Sequence, residues 1–477
     1  MHLSMMLSFG LFLFIMLTIG LASSRRSKPT SQDYLLASRS IPPWLAALSA
    51  VSTTCSGFMF VGLIGMTYLN GVSGYWVGIG LVIGQLISWS LCFRRFREKS
   101  GSLQSQTIPQ FLASFPGGES KAVRKLLALL LLVFLGTYAA AQLSAGSKAL
   151  HVLFSWDYAV GAILGAFIVL LYCLAGGIRA SIWTDAAQSL LMVLAVSILI
   201  VVCLWEIGGP MSLLSKLNAM DPSLATMKMG SHWQTSSFVL GWLATGLGVL
   251  GQPHIMIRAM VVESSKSIRL TQRYFFLYYT VFIFLATTVG LCCRILLPSI
   301  AAFDAELALP LLAKDYLPGF FAGLILAGIF AATMSTADSQ IISCAAALSH
   351  DLIDEPEHKL KYSKLGTLLM TGVSLLVALN ANESVFALVI FSWCALASAM
   401  GPLMLIQCFN WPIRPATALL MIPTGIGVAL LWRSYDLSPA VSEVLPGMVV
   451  PFVLYAITEF VLLKPRAEAP QRAKTKT

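Results

Sequence analysis

Apolar residues run through this chain in long stretches, near 4–22, 42–69, 73–93, 126–147, 157–176, 183–205, 236–253, 274–297, 317–349, 365–380, 385–408, 416–432 and 445–463. Most lie near the ~20 residues that a helix rising about 1.5 Å per residue needs to cross a bilayer core of roughly 30 Å. The pattern predicts an all-α integral membrane protein of about thirteen transmembrane helices. In the first stretch the positive charges (Arg25, Arg26, Lys28) follow the apolar run instead of preceding it. That is the reverse of a signal peptide, so this stretch is read as a retained helix with its N-terminus outside.

Polar residues interrupt three of the stretches. Segment 317–349 carries Ser335, Thr336, Asp338 and Ser339 within about a turn and a half. Burying such groups in hydrocarbon costs several kcal/mol unless something binds them. Hydroxyls there often bond back to carbonyls one turn earlier, but with Asp338 and Ser339 beside them the group reads as a site for a hard monovalent cation. Segment 42–69 holds Ser49, Ser52, Thr53, Thr54, Ser56 and Gly57 near its middle, and segment 236–253 ends in Gly246, Gly248, Gly251, Gln252 and Pro253. Glycine exposes backbone and proline removes a donor, and such irregular backbone survives at membrane depth only inside protein or along a cavity. Two interrupted segments five helices apart point to an inverted-repeat transporter with its site at the midplane. The alternative is that these glycines only let helices pack closely.

Composition and charge sharpen this picture. Charged residues are 11% of the chain, and the mean hydropathy of +0.81 excludes an ordinary soluble protein. With thirteen crossings from an outside N-terminus, the outer side keeps Lys148, Lys216, Lys228, Arg294, Lys314 and Arg433, and the inner side the other 25 of 31 Lys and Arg. That asymmetry obeys the positive-inside rule, so the net charge of +10 reports orientation and calls for no nucleic-acid partner. The expected location is a cell membrane, as a multi-pass protein of a bacterial inner membrane, with the C-terminus cytoplasmic. Nine cysteines show no metal-ligand spacing and read as buried thiols. No catalytic constellation or phosphate-binding glycine loop stands out, so an enzyme is not expected.

Five stretches together carry a family resemblance. Residues Ser31 to Ser40, Trp44 to Ala50 running into Ser56-Gly57, Gly176 to Asp185, Gly251 to Ile255, and Met334-Ser335-Thr336 through His350-Asp351-Leu352 resemble the sodium:solute symporter family, its proline-transporter branch in particular. The resemblance implies a leucine-transporter-type inverted-repeat core of ten helices (42–408). One extra helix and a basic loop (1–41) precede it, two helices (409–463) follow, and a basic cytoplasmic tail (464–477) ends the chain. It implies no cofactor beyond sodium as coupling ion, held by backbone carbonyls of Ser52, Cys55 and Ala332 with the hydroxyls of Ser335 and Thr336. Asp185, with Asp338 and Ser339 on the facing helix, is a candidate second cation position or exit path. The other reading pairs Asp185 with Arg179 near the cytoplasmic end of its helix.

The departures concern the solute. Where proline transporters have an aspartate this chain has Thr54, and where they have a tryptophan and a tyrosine ahead of Gly-Gln-Pro it has Thr245 and Val249. Trp242 stands one turn earlier, and Tyr138 and Gln142, one turn apart, are candidate polar partners. The expected solute site is therefore Ser56, Gly57, Tyr138, Gln142, Trp242, Thr245 and Val249. His254, Arg258 and Glu263, after the Pro253 break on the cytoplasmic side, suggest an inner-gate hydrogen bond or, for the histidine, a proton-coupling group. The leading expectation is sodium-coupled import of a small organic solute, an amino acid or a related zwitterion or carboxylate. A proton-driven transporter of the same fold and a transporter-like membrane sensor are the alternatives.

Overall fold

The computed structural model describes residues 2–297, 303–353, 358–380 and 384–462. The basic tail 464–477 lies outside them. Among the described residues nine helices are long and apolar enough to cross a membrane. Two of the nine are compound. Pro43–Ser102 contains a turn at 71–74, where Gly71 takes φ +68° and packs on the backbone of Leu224. Tyr158–Ile207 is broken at Gly177, with φ +54° and ψ −141°. On a straight helix Tyr172 and Thr184 would stand about 18 Å apart. Here a Cβ built on Gly20 would meet both, at 2.7 and 3.3 Å, so the chain reverses at Gly177. Each apolar segment read from the sequence falls mainly on helical backbone within the described residues.

Both interrupted segments are broken in the structure. In the span 43–70, Ser56 has φ 29° and ψ 175° in the middle of otherwise helical backbone. In the span 232–261, the helix tightens over Gly248–Gly251, stops at extended Gln252, and restarts at Pro253. Proline suits that restart, because the first helical position has no amide partner to lose. Close packing holds as well. A Cβ on Gly251 would come within 2.4 Å of the Leu396 carbonyl oxygen. So the glycines both break the helix and let Val385–Phe409 approach its backbone.

The Gly319–Leu352 helix is deeply enclosed, with every residue from Ala322 to Ala347 except Leu324 buried. It packs against Lys121–Phe154, the two arms of Tyr158–Ile207 and the 43–57 half-helix. The first helix, His2–Ser24, lies against it too, and Gly323 permits contact with Met5 and Ser8. A parallel bridge, with Ile41 N–H on the Val261 carbonyl and Glu263 N–H on the Ile41 carbonyl, ties the start of the first interrupted span to the end of the second. The apolar pattern did not foresee two short helices between spans, Pro210–Met220 and Ala308–Tyr316, or a two-residue hairpin pairing Ser114–Phe115 with Gly118–Glu119.

Candidate functional site

The break at Ser56 and the middle of Gly319–Leu352 face one another. The Ser335 hydroxyl donates to the Ser52 carbonyl at 3.2 Å and to the Ala332 carbonyl at 3.1 Å. The Thr336 hydroxyl donates to the Thr53 carbonyl at 3.0 Å and to Ala332 at 3.1 Å. Two hydroxyls thus meet three carbonyls in a region with no exposed surface. Carbonyls in the last turn before a helix break have lost amide partners, which leaves their lone pairs for another donor or a cation. Of the five oxygens expected there, Ser52, Ala332, Ser335 and Thr336 come together. The Cys55 carbonyl accepts from the Phe58 amide instead. The Thr53 carbonyl, which the sequence reading omitted, occupies the corresponding place.

One turn toward the basic end of the molecule lies a charged network. Asp185, Asp338 and Arg258 are all fully buried. Arg258 Nη2 pairs with Asp185 Oδ2 at 2.9 Å. The same guanidinium donates to Ser49 Oγ and Ser181 Oγ at 3.0 Å, to the His254 carbonyl at 2.9 Å, and to Ser339 Oγ. Asp185 also accepts from Ser49 Oγ at 2.6 Å. Asp338 accepts from Tyr172 at 2.7 Å, Ser339 at 2.8 Å and Ser181 at 2.9 Å. Ser339 Oγ donates to the Ser335 carbonyl at 2.7 Å, so this network touches the hydroxyl cluster. Two carboxylates and one guanidinium carry a net charge of −1 when ionised, and Asp185 Oδ1 has no hydrogen-bond partner among the described residues.

One of the two readings of Asp185 is corrected here. Asp185 does not pair with Arg179. Arg179 Nη2 bonds Asp33 Oδ1 at 2.7 Å and the Ala37 carbonyl at 3.0 Å. Six residues is about one and two-thirds turns, which puts Arg179 and Asp185 on different helix faces. Arg258, read from the sequence as a candidate inner-gate group after the Pro253 break, is fully buried. It is one turn past His254 on the restarted half-helix, which points it into the bundle. His254 makes an edge contact with Tyr138, ring centroids 5.5 Å apart, and its ring nitrogens have no hydrogen-bond partner among the described residues.

Beside the Ser56 break is a narrow cavity of about 20 Å³, room for roughly one water. Tyr138, Trp242 and Thr245 line it, together with Thr54, Phe58 and Trp393. Gln142 and Gly57 do not. The Gln142 Oε1 accepts the Gly57 amide at 2.8 Å, so this pair closes the broken helix end. Ser56 Oγ caps its own turn by accepting the Phe58 amide at 3.1 Å. Val249 is fully buried in the tightened turn away from the lining. Trp393 had no local signal, because a tryptophan in an apolar run reads as core or interface. Its indole donates to the Thr245 carbonyl at 2.9 Å, which adds a second tryptophan to the cavity beside Trp242. Tyr172 was missed for a similar reason, and Ser49 was noted only as a polar interruption, because neither shows its acid partner locally.

Comparison with known proteins follows the same lines. The profile described as sodium:solute symporter family matches residues 34–420. An osmoregulated proline transporter of Bacillus subtilis is 26% identical, with 98% of this chain and 96% of the relative covered. A sodium/proline symporter of Escherichia coli is 28% identical, with 99% and 95% covered. Among solved structures, a substrate-bound, outward-open sodium-coupled sialic acid symporter superposes with a TM-score of 0.81 at 22% identity, covering 95% of this chain and 97% of that one. At that identity the likeness establishes the fold, an all-α membrane bundle with the leucine-transporter-type inverted repeat.

Proposed function

The chain belongs to the sodium:solute symporter family, and on that premise we propose how its residues divide the work. As a member it is a membrane-embedded symporter that couples sodium to import of a small organic solute. The solute proposed is an amino acid or a related zwitterion or carboxylate, a reading supported by two relatives whose names specify proline. Proline itself is not assumed, because Thr54, Thr245 and Val249 replace polar and aromatic groups of that branch.

The observation that carries the reading is the meeting of the Ser335 and Thr336 hydroxyls with the Ser52, Thr53 and Ala332 carbonyls at a helix break. Sodium would replace the two hydroxyl protons as the partner of those oxygens, with the hydroxyl lone pairs turned inward. Solute binding is assigned to the cavity of Tyr138, Trp242, Thr245 and Trp393. That cavity is too small for an amino acid as it stands, so the helices around it must part to admit one. The orientation proposed puts the end bearing Arg94, Arg97 and Lys99 in the cytoplasm.

The test is uptake into vesicles containing the purified protein, over a panel of amino acids, organic acids and sugars. A sodium gradient should drive accumulation of an amino acid. Thr336→Val should weaken apparent sodium affinity tenfold or more, about 1.4 kcal/mol, while Thr336→Ser, which keeps the oxygen, should not. Uptake driven by a pH gradient without sodium would favour proton coupling, and no accumulation of any solute would favour a sensor.

A further inference from the structure

A groove of about 660 Å³ opens between the last turns of Pro43–Ser102 and the first turns of Ile268–Leu296, well away from the helix crossing. Its floor is Trp89, 1% exposed and stacked on Phe93 and Phe275 with ring centroids 4.0 and 5.0 Å away. A hydrogen bond of 2.8 Å from Gln272 Nε2 to Ser90 Oγ fastens the two helices across it. One end of the groove is apolar and open to the surroundings, with Leu86 and Leu91 42% and 48% exposed. At the other end stand Arg94, Arg95, Arg269 and Arg273. No carboxylate lines the groove, and among the described residues none of these four arginines is in an ion pair. Arg95 has only the face of Phe409, 4.0 Å from its guanidinium carbon.

Four guanidinium groups lining one groove without a counter-charge repel one another and call for an anion. Free phosphate would satisfy the charge but leave the leucines and Phe276 at the apolar end uncovered. A molecule with an anionic head and a hydrocarbon tail matches both ends at once, and the groove sits where helices leave the membrane at the basic end. We propose that this groove is a binding site for one anionic phospholipid of the adjoining leaflet. The arginines surround its phosphate, and an acyl chain lies along Leu86, Leu91 and Phe276. The site is separate from the sodium and solute sites and does not depend on how those are assigned.

The experiment is native mass spectrometry of the purified full chain in mixed micelles, titrated with phosphatidylglycerol or phosphatidylcholine. Wild type should retain phosphatidylglycerol in preference to phosphatidylcholine. The double variant Arg94→Gln, Arg273→Gln should bind phosphatidylglycerol on the order of thirtyfold more weakly, from about 1 kcal/mol per arginine at a membrane surface. The exposed pair Lys361→Gln, Lys364→Gln, which removes equal charge elsewhere, should leave retention unchanged, and Arg94→Lys, Arg273→Lys should keep most of it. Equal retention by wild type and the glutamine pair, or an equal loss in the Lys361/Lys364 pair, overturns the proposal. So does displacement of the lipid from wild type by inorganic phosphate at matched concentration. If the glutamine pair does not fold, the phosphatidylglycerol preference of wild type and the lysine pair decides instead.

Discussion

Arg258 is the test of whether the buried charges form one unit. It is fully buried, and its guanidinium touches Asp185, Ser49, Ser181, Ser339 and the His254 carbonyl. Arg258→Met keeps much of the side-chain volume and removes the charge, leaving Asp185 and Asp338 as two carboxylates with no positive partner. Breaking a buried pair in this way costs about 3–5 kcal/mol, most of it the penalty of the charge left behind. Part of a domain's total stability of roughly 5–15 kcal/mol would be lost, so detergent-solubilised variant should melt several degrees below wild type. Asp185→Asn in the same chain removes the stranded charge, and the double variant should recover about half of that loss or more. The cycle is read by thermal unfolding at fixed pH and sodium. An Arg258→Met protein as stable as wild type would refute the reasoning. So would additive losses in the double variant, because they would mean that Asp185 and Arg258 act on different partners.

Three further outcomes follow from the same structure. Asp338→Asn cancels the net negative charge of the Asp185–Asp338–Arg258 group, so if that group holds a second cation the sodium Hill coefficient of uptake should fall toward one while Asp338→Glu retains it; an unchanged coefficient assigns the group a structural role. Import of a zwitterion with sodium moves charge inward, worth about 2.3 kcal/mol per charge per 100 mV, so an inside-negative potential imposed on vesicles should accelerate uptake, and voltage-independent uptake would point to exchange. Burial works to raise the Asp33 carboxyl, but hydrogen bonds from Arg179, Ser38 and the Lys28 amide and the Arg179 charge outweigh it and hold it below the usual carboxylate value. A depressed folded pKa stabilises above the unfolded value, near 3.9, and is lost as pH falls through the folded value. Asp33→Asn should therefore lower the melting temperature at neutral pH and flatten its decline in acid.

The long apolar runs, their spacing and the side on which lysine and arginine accumulate depend only on composition along the chain. A bilayer demands helices that satisfy their own backbone, so those features determined the all-α membrane architecture before any contact was known. The two helix breaks were also legible, because the polar run into Ser56-Gly57 and the glycines before Pro253 weaken a regular helix. So was the hydroxyl pair Ser335-Thr336, which is conspicuous in an apolar run and needs partners wherever it lies. The choice of those partners belonged to tertiary structure. Nothing local says that the Thr53 carbonyl, and not that of Cys55, faces Thr336, since carbonyls are alike in every residue and only the break geometry at Ser56 selects between them. Nor does sequence separation reveal that Arg258 reaches Asp185 while Arg179 turns to Asp33. Those pairings are set by the reversal at Gly177 and the restart at Pro253, which rotate charged side chains toward elements far away in the chain. Trp393 entered the cavity the same way. Its indole is anchored by a carbonyl on another helix, and the lack of a side chain at Gly248, where a Cβ would meet the indole nitrogen at 3.0 Å, lets the two come together.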